Sequence, residues 1–380
     1  MIKISNYHYL FPYKIGMIIL IMLFFMVPNS IYAKKKKKKK PQDFEIKFVL
    51  ASTYDNNILK YSDKYLTRFM NGEDEGRFHI KTYDDLIITT SLKMSYTFQI
   101  FDKLKSKVNG EISRRSYIVN DIKSWDYFAI GFQQYFTKHA SLKFSYSYIP
   151  YFYVRHFRDR QWVTEYGFTP ETFKPYVFSK DYFGLTLQNT YLKNTRITLS
   201  LHYARYYHNK YFTPFDSKDL IYGIKLYQPL HRKFRLKASY HFVTSDAKGY
   251  NSAIETPETS LGPDATFVED RFSLGFIWYL PRIDNRSNHF DVNFGLLLRY
   301  YSSEYPPLVD PLHTGRVDHN YRVYAAYKIS LSKAFRLSAY YRLYLRDSDT
   351  KALINKWYVS NEKDYSQYHI GVELTYKIKY

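Results

Sequence analysis

A two-residue hydrophobic period constrains this chain more than any other feature, and residues 367–380 show it most cleanly. Tyr368, Ile370, Val372, Leu374, Tyr376, Ile378 and Tyr380 are apolar or aromatic, while Gln367, His369, Gly371, Glu373, Thr375, Lys377 and Lys379 between them are polar or small. Side chains on a strand alternate between its two faces, so this pattern makes one greasy face and one wet face. The same register recurs along the chain. It appears in Phe44, Ile46, Phe48 and Leu50, and in the long run Leu86, Ile88, Thr90, Leu92, Met94, Tyr96, Phe98 and Ile100. It returns in Phe272, Leu274, Phe276, Trp278 and Leu280, and in Phe335, Leu337, Ala339, Tyr341, Leu343 and Leu345. About fourteen such runs are legible.

The connections between runs alternate in length. Short ones fall near 101–104, 137–140, 192–196, 229–233, 281–288 and 331–334; long ones fall near 55–76, 113–126, 158–180, 208–218, 244–270, 302–317 and 346–363. A soluble sandwich has shorter strands and no such rhythm. An apolar face this continuous has to meet lipid or a second sheet, and closure also removes exposed edges. The expected fold is all-β: an antiparallel up-and-down transmembrane β-barrel of about fourteen strands over residues 43–380. Mean hydropathy of −0.46 excludes a polytopic helical membrane protein but not a barrel, in which only alternate residues face lipid. Phe136, Phe234, Phe335, Tyr301 and Tyr380 near strand ends are expected in the interfacial aromatic girdles.

The carboxy-terminal run resembles the closing strand of a bacterial outer-membrane β-barrel, with Tyr376, Ile378 and Tyr380 as the assembly signal. That resemblance implies outer-membrane lipid, the barrel-assembly machinery and periplasmic chaperones as partners. It also implies that both termini face the periplasm. Tyr54-Asp55-Asn56-Asn57 resembles the first barrel strand of surface lipoprotein assembly modifiers. Those proteins carry a helical periplasmic domain before the barrel, where this chain has only residues 34–42.

Residues 1–33 read as a secretory signal peptide. Lys3 and Lys14 come first, then the apolar run 15–27, then Pro28, Asn29 and Ser30, with Ala33 at the expected cleavage point. An uncleaved anchor is the alternative, and the run is short for a span of about 20 residues. Lys34–Lys40 reads as a self-repelling basic periplasmic tail, either solvated or in contact with anionic polymer. The formal charge of +21 falls to +12 once the nine lysines before residue 41 are set aside, since no acid accompanies them. Bases spread around a barrel are no nucleic-acid footprint. Cysteine is absent, which excludes disulfides, thiolate metal sites and a cysteine nucleophile.

If the apolar register faces lipid, the other register faces inward. It carries Lys47, Lys93, Arg115, Arg155, Arg235, Arg271, Arg299, Arg322 and Arg342 as candidate lumen bases, with Lys105, Lys107, Lys143, Lys225, Lys237, Arg336 and Lys377 beside them. The inward acids are fewer: Glu45, Asp85, Glu111, Asp291, Asp318 and Glu373. A basic wall concentrates anions, unless these bases are spent on structural pairs. Tyr151, Tyr153, Tyr206, Tyr324, Tyr340 and Tyr344 are expected inward as a stacking track or as filler. No metalloprotease, nucleophile-elbow or phosphate-loop motif occurs, and the 12 histidines are scattered. No cofactor is expected. The acidic stretch Glu73-Asp74-Glu75 reads as a solvated loop before a Ca²⁺ site. These readings point to a passive porin-like channel. The alternatives are a non-conducting barrel whose surface loops bind a partner and, third, an outer-membrane lipid-modifying enzyme.

Overall fold

The computed structural model describes residues 43–100, 104–158, 167, 169–191, 194–251, 255–256, 259–260 and 263–380. The expected signal peptide and Lys34–Lys40 lie outside the described residues. The first strands are β1 (Asp43–Asp55), β2 (Asp85–Ile100), β3 (Leu104–Tyr117), β4 (Trp125–Tyr135), β5 (Ala140–Phe157), β6 (Lys174–Tyr191) and β7 (Thr195–His208). They are followed by β8 (Ser217–Pro229), β9 (Phe234–Ala247), β10 (Phe267–Tyr279), β11 (Asn288–Tyr301), β12 (Arg316–Ser330), β13 (Phe335–Thr350) and β14 (Tyr365–Lys379). Each strand pairs antiparallel with its sequence neighbours, and β1 pairs with β14 to close a barrel of fourteen strands. Two short helices, α1 (Asp63–Met70) and α2 (Lys356–Lys363), occupy the first and last long connections.

Short turns gather at the end that holds the described chain's two ends, and the longer connections gather at the other, here called the turn end and the loop end. Small hydroxyl residues close two of the turns, β4–β5 and β12–β13. Thr137 Oγ1 accepts from the amides of His139 (3.0 Å) and Ala140 (2.9 Å), and Ser332 Oγ accepts from Ala334 (3.1 Å) and Phe335 (3.0 Å). At the seam, Phe44 and Tyr380 exchange backbone hydrogen bonds of 3.2 and 2.9 Å, and the Tyr376 ring stacks between those of Phe335 and Phe48.

The expected register holds through the apolar band. Leu50, Ile130, Phe144, Phe294 and Ile370 all point away from the barrel and are about half exposed. Only a bilayer covers a belt of that kind, and no described helix is long and apolar enough to cross a membrane, so the strands do the crossing. At the loop-end boundary, outward tyrosines donate to carboxylates: Tyr54 to Asp84 (2.8 Å), Tyr146 to Asp181 (2.7 Å) and Tyr240 to Asp270 (2.6 Å). Apolar rings in lipid with polar tips in water make such a girdle.

Two expectations fail. Tyr301 pairs across from Phe267 on the inward register and lines a cavity, so it belongs to no girdle. Between Ile149 and Phe152 of β5 a bulge shifts the register by one. Phe152 therefore faces Phe178 on the inner side, and Tyr151 is left 46% exposed instead of reaching the lumen.

The tightest apolar cluster sits in the mouth. Ile58, Leu59, Tyr61 and Tyr65 from the first long connection pack on Tyr153, with Leu66, Phe78, Ile80 and Tyr117 around them. Asn57 pins this segment. Its Nδ2 donates to the carbonyls of Tyr61 (2.8 Å) and Ser366 (3.1 Å), and its Oδ1 accepts from the Tyr61 amide (2.9 Å). Gln367 Nε2 in turn donates to both Asp55 oxygens at 2.9 Å. The Tyr-Asp-Asn-Asn run is thus a hinge that folds the chain back over the barrel. Helix α2 completes the cap, with Glu362 accepting from Lys64 Nζ and Tyr65 Oη. Asp74 is held by Arg68 (2.8 Å) and Arg77 (2.9 Å), so that acidic loop is an internal ion pair.

Candidate ligand cavity and lumen wall

The inward register carries every base singled out above, but it sorts them to different depths. Near the turn end, Lys47 and Lys93 line a cavity of 310 Å³ with Lys107 and Lys143. Lys47 and Lys377 share Glu45 at 2.7 Å each, and Lys93 pairs with Glu111 at 2.8 Å. Further up, Arg115 and Arg342 line a cavity of 320 Å³, where Arg115 lies 4.9 Å from the Trp125 ring and Arg342 lies 4.6 Å from that of Tyr340. Arg322 lies 6.0 Å from the Tyr344 ring. Arg235 joins none of these groups: at the turn-end rim its guanidinium donates to the carbonyls of His231 and Phe234.

Arg155, Arg271 and Arg299 converge beneath the cap on a cavity of 420 Å³. Lys60, Arg316, Arg346 and Lys363 join them, so seven bases line it against Asp219 and Glu362. Two carboxylates behind the lining hold the arginines. Glu269, fully buried, takes Arg271 Nε on one oxygen and Arg299 Nε (2.7 Å) on the other. Asp318, also fully buried, is gripped by Arg316 at 2.7 and 2.6 Å, while Arg346 approaches to 3.8 Å and donates to Asn320 Oδ1 at 2.9 Å. Lower down, Asp291 is shared by Lys237 and Lys328 in the same way. Each unit of two bases on one acid leaves one net positive charge, held in a fixed geometry.

Half of the concern about structural pairing is therefore met. Glu45, Glu111, Asp291, Glu269 and Asp318 are spent on pairs, Glu373 lines the middle cavity without an ion pair among the described residues, and the bases outnumber the acids. Among the described residues Arg115, Lys143, Lys225, Arg322 and Arg342 have no ion pair. Asp85 does not face the lumen as a free charge. It is buried and accepts from the amides of Ile118 (3.1 Å), Val119 (3.1 Å) and Asn120 (2.8 Å), fixing the β3–β4 connection.

The lysines in the cap feel this excess. Lys363 is pushed down to about 7 by burial and by the guanidiniums of Arg316 and Arg155. Lys60 is pushed down to about 8 by desolvation within the mouth and by Arg346 and Arg322, although its side chain stays open to the cavity water. Lys123 is pushed to about 7 by burial, with Arg155 and Lys60 adding to it; its Nζ donates to the Tyr153 carbonyl at 2.8 Å. Glu362 goes the other way: burial raises it, but the bonds from Lys64 and Tyr65 outweigh that and hold it low.

The alternation does not reveal Lys60, Lys363, Arg316, Arg346 or Glu269. They lie at or above strand tops, where outward residues such as Asp347, Asp349 and Asp270 are polar too and the two-residue contrast vanishes. Apart from β4, at 11 residues, the strands run on for 13–18 residues, beyond the roughly 9–11 that a bilayer needs. No metal-binding group of three or more His, Asp or Glu side chains occurs among the described residues.

No known family profile matches the sequence, and no curated protein matches it. Solved structures that it resembles include the outer membrane channel DcaP of Acinetobacter baumannii (11% identity, TM-score 0.47, 90% of this chain and 99% of that one). A bacterial polysaccharide outer membrane secretin has 7% identity and a TM-score of 0.45, over 88% of this chain and 98% of that one. An anion-selective porin from Comamonas acidovorans has 9% identity and a TM-score of 0.41, over 89% and 100%.

Proposed function

We propose that this chain is a porin-like channel of the bacterial outer membrane whose lumen favours anionic solutes. One observation carries the reading: from turn end to cap, the inward wall repeats units of two bases on one acid, at Glu45, Asp291, Glu269 and Asp318. A wall with net positive charge along its length, between low-dielectric sides, raises the local anion concentration and repels cations. The apolar outer band, the aromatic girdle and the closing strand support the membrane placement. Lipid and the barrel-assembly machinery are the partners this placement requires, and the reading assigns the chain no catalysis.

The test is a planar bilayer experiment in a salt gradient. Discrete open-pore currents with a reversal potential toward the anion support the reading; cation preference refutes it. The cap favours a second reading. Ile58, Leu59, Tyr61 and Tyr65 pack as a buried cluster against Tyr153, an arrangement that a barrel presenting loops without conducting also requires. A barrel that is silent at all voltages, and stays silent after residues 58–80 are removed, establishes that alternative.

A further inference from the structure

The cavity beneath the cap has two unlike walls. In the closed order β6 and β13 lie half a circuit apart, and so do β5 and β12. Phe157, Tyr176, Phe178 and Tyr206 face the cavity from β5, β6 and β7. Arg316 and Arg346 face it from β12 and β13, with Lys363 and Lys60 above them. Rings thus predominate on the β5–β7 side and cations on the β10–β13 side, with Arg155 the base among the first and Phe267 and Tyr301 the rings among the second.

On the aromatic side lies one acid. Asp219 of β8 is 5% exposed, lines the cavity, and its Oδ1 has no hydrogen-bond partner among the described residues. A buried carboxylate oxygen without a donor is costly and accepts a hydroxyl readily. In strand order it lies four and five strands from Arg316 and Arg346, so a ligand whose charge rests on those two offers it an uncharged hydroxyl.

Resting on the anion-channel reading, we propose that this cavity is a binding site for an organic phosphate that carries a hydroxylated ring, such as a sugar or nucleoside monophosphate. The phosphate lies against Lys60, Arg316, Arg346 and Lys363, the ring stacks on Tyr176 and Tyr206, and a ring hydroxyl donates to Asp219. With Lys60 and Lys363 protonated, as at pH 6, the seven lining bases set against Asp219, Glu362 and the two clamping carboxylates leave about three positive charges uncompensated. A monocarboxylate neutralises one of them, whereas a phosphomonoester brings about 1.5–2 negative charges and three acceptor oxygens. At 420 Å³ the cavity falls within the range of small-molecule sites, about 300–1,000 Å³. Its lining comes from the inner wall and the cap, so a bilayer lipid headgroup does not reach it. Lys363, pushed down by burial first and by Arg316 and Arg155 second, agrees with this picture, since an anion beside it favours its charged form.

The test is calorimetric titration of the full chain in detergent with AMP, adenosine, inorganic phosphate and benzoate. AMP is expected to bind at least tenfold more tightly than each of the other three. Lys363→Gln and Lys60→Gln each weaken AMP about tenfold, the scale of one charge-assisted hydrogen bond. Tyr206→Leu weakens AMP and leaves inorganic phosphate unchanged. Folding of each variant is checked by heat-modifiable gel migration, and Asp219→Asn, which keeps the shape, serves where a lysine variant fails to fold: it lowers the AMP-to-phosphate ratio. AMP binding no tighter than benzoate or adenosine overturns the proposal, as does AMP binding that ignores every one of these substitutions. Reversal potentials on the same preparations separate the two claims. An anion-selective pore without AMP preference overturns this inference alone, while a cation-selective pore overturns the channel reading and leaves the site to be judged by the titration.

Discussion

Gly371 is where a single methyl group tests how the barrel closes. The residue lies on β14 between Thr53 of β1 and Tyr340 of β13, on the inward register. The Tyr340 side chain crosses over it, and its hydroxyl meets Thr53 Oγ1 at 2.6 Å, so β13 is bonded to β1 across the closing strand. A Cβ at Gly371 would sit 2.5 Å from Tyr340 Cζ, 2.6 Å from its Oη and 2.8 Å from the Ser52 carbonyl oxygen. The ring can swing away, but the carbonyl belongs to the seam's backbone and cannot. Gly371→Ala is therefore expected to displace the ring, cost about 1–3 kcal/mol in overpacking, and lose a hydrogen bond worth about 1 kcal/mol. A total of about 2–4 kcal/mol follows from those two terms.

The assay is the urea midpoint of the folded barrel in detergent, read by the loss of heat-modifiable gel migration, with unfolding rates recorded because such unfolding is often kinetically controlled. Two controls sharpen it. Gly295→Ala meets nothing closer than 3.5 Å and should cost little or stabilise slightly, since alanine loses less backbone entropy. Tyr340→Phe removes only the hydroxyl, and the double variant with Gly371→Ala should be less destabilised than the sum of the singles, because both break the same bond. A Gly371→Ala barrel with an unchanged midpoint, or strict additivity in the cycle, would refute the argument.

Three other outcomes follow from the same geometry. Glu269→Gln leaves Arg271 and Arg299 without their shared carboxylate. It should raise anion-over-cation permeability in reversal-potential measurements while lowering stability by about 2 kcal/mol, below the cost for a dry pair because both guanidiniums keep some water. Lys363 at about 7 and Lys60 at about 8 are both protonated at pH 6 and mostly neutral at pH 9, so positive charge is lost as pH rises. Anion selectivity should fall between those pH values, and Lys363→Gln should flatten the profile; a pH-independent selectivity would contradict it. Deleting Tyr380 removes the paired backbone bonds to Phe44 and should reduce the folded fraction recovered in the outer membrane, measured by surface protease protection.

How much was legible follows from where two-residue contrast exists. Inside the bilayer the outward residue has to be apolar, so Phe48, Leu92, Phe272 and Ile370 announce both their strands and their facing, and Lys47, Arg271 and Arg342 could be set inward without a structure. Above the bilayer the outward residue meets water, as Asp270 and Asp349 do, and alternation carries no information. In the sequence, the strand tops bearing Glu269, Arg316 and Arg346 are therefore indistinguishable from loops. The bulge in β5 misled for another reason: it inserts a residue where Ile149-Pro-Tyr-Phe gives an aromatic on either register, so Tyr151 and Phe152 cannot be told apart by hydrophobicity.

The cap presents the same limit from the other side. Asn57, Tyr61 and Lys60 sit in a stretch whose polarity suggests solvent, yet Asn57 and Tyr61 are almost fully buried and Lys60 looks into the cavity. What places them is a hydrogen-bond accounting that spans the chain: Asn57 satisfies a carbonyl on β14 and the backbone of its own turn, and Gln367 answers by holding Asp55 and the Asn57 carbonyl. A buried polar residue has to find all its partners at once, which makes such a pin specific in the fold but silent in a local pattern. The seam that Gly371 and Tyr340 lock and the hinge that Asn57 and Gln367 lock are a few residues apart on the same closing strand. The loop end of β14 therefore holds the barrel shut and the cap in place together, so loosening one should be felt by the other: Gln367→Ala is expected to destabilise the seam and to enlarge single-channel conductance in the same variant.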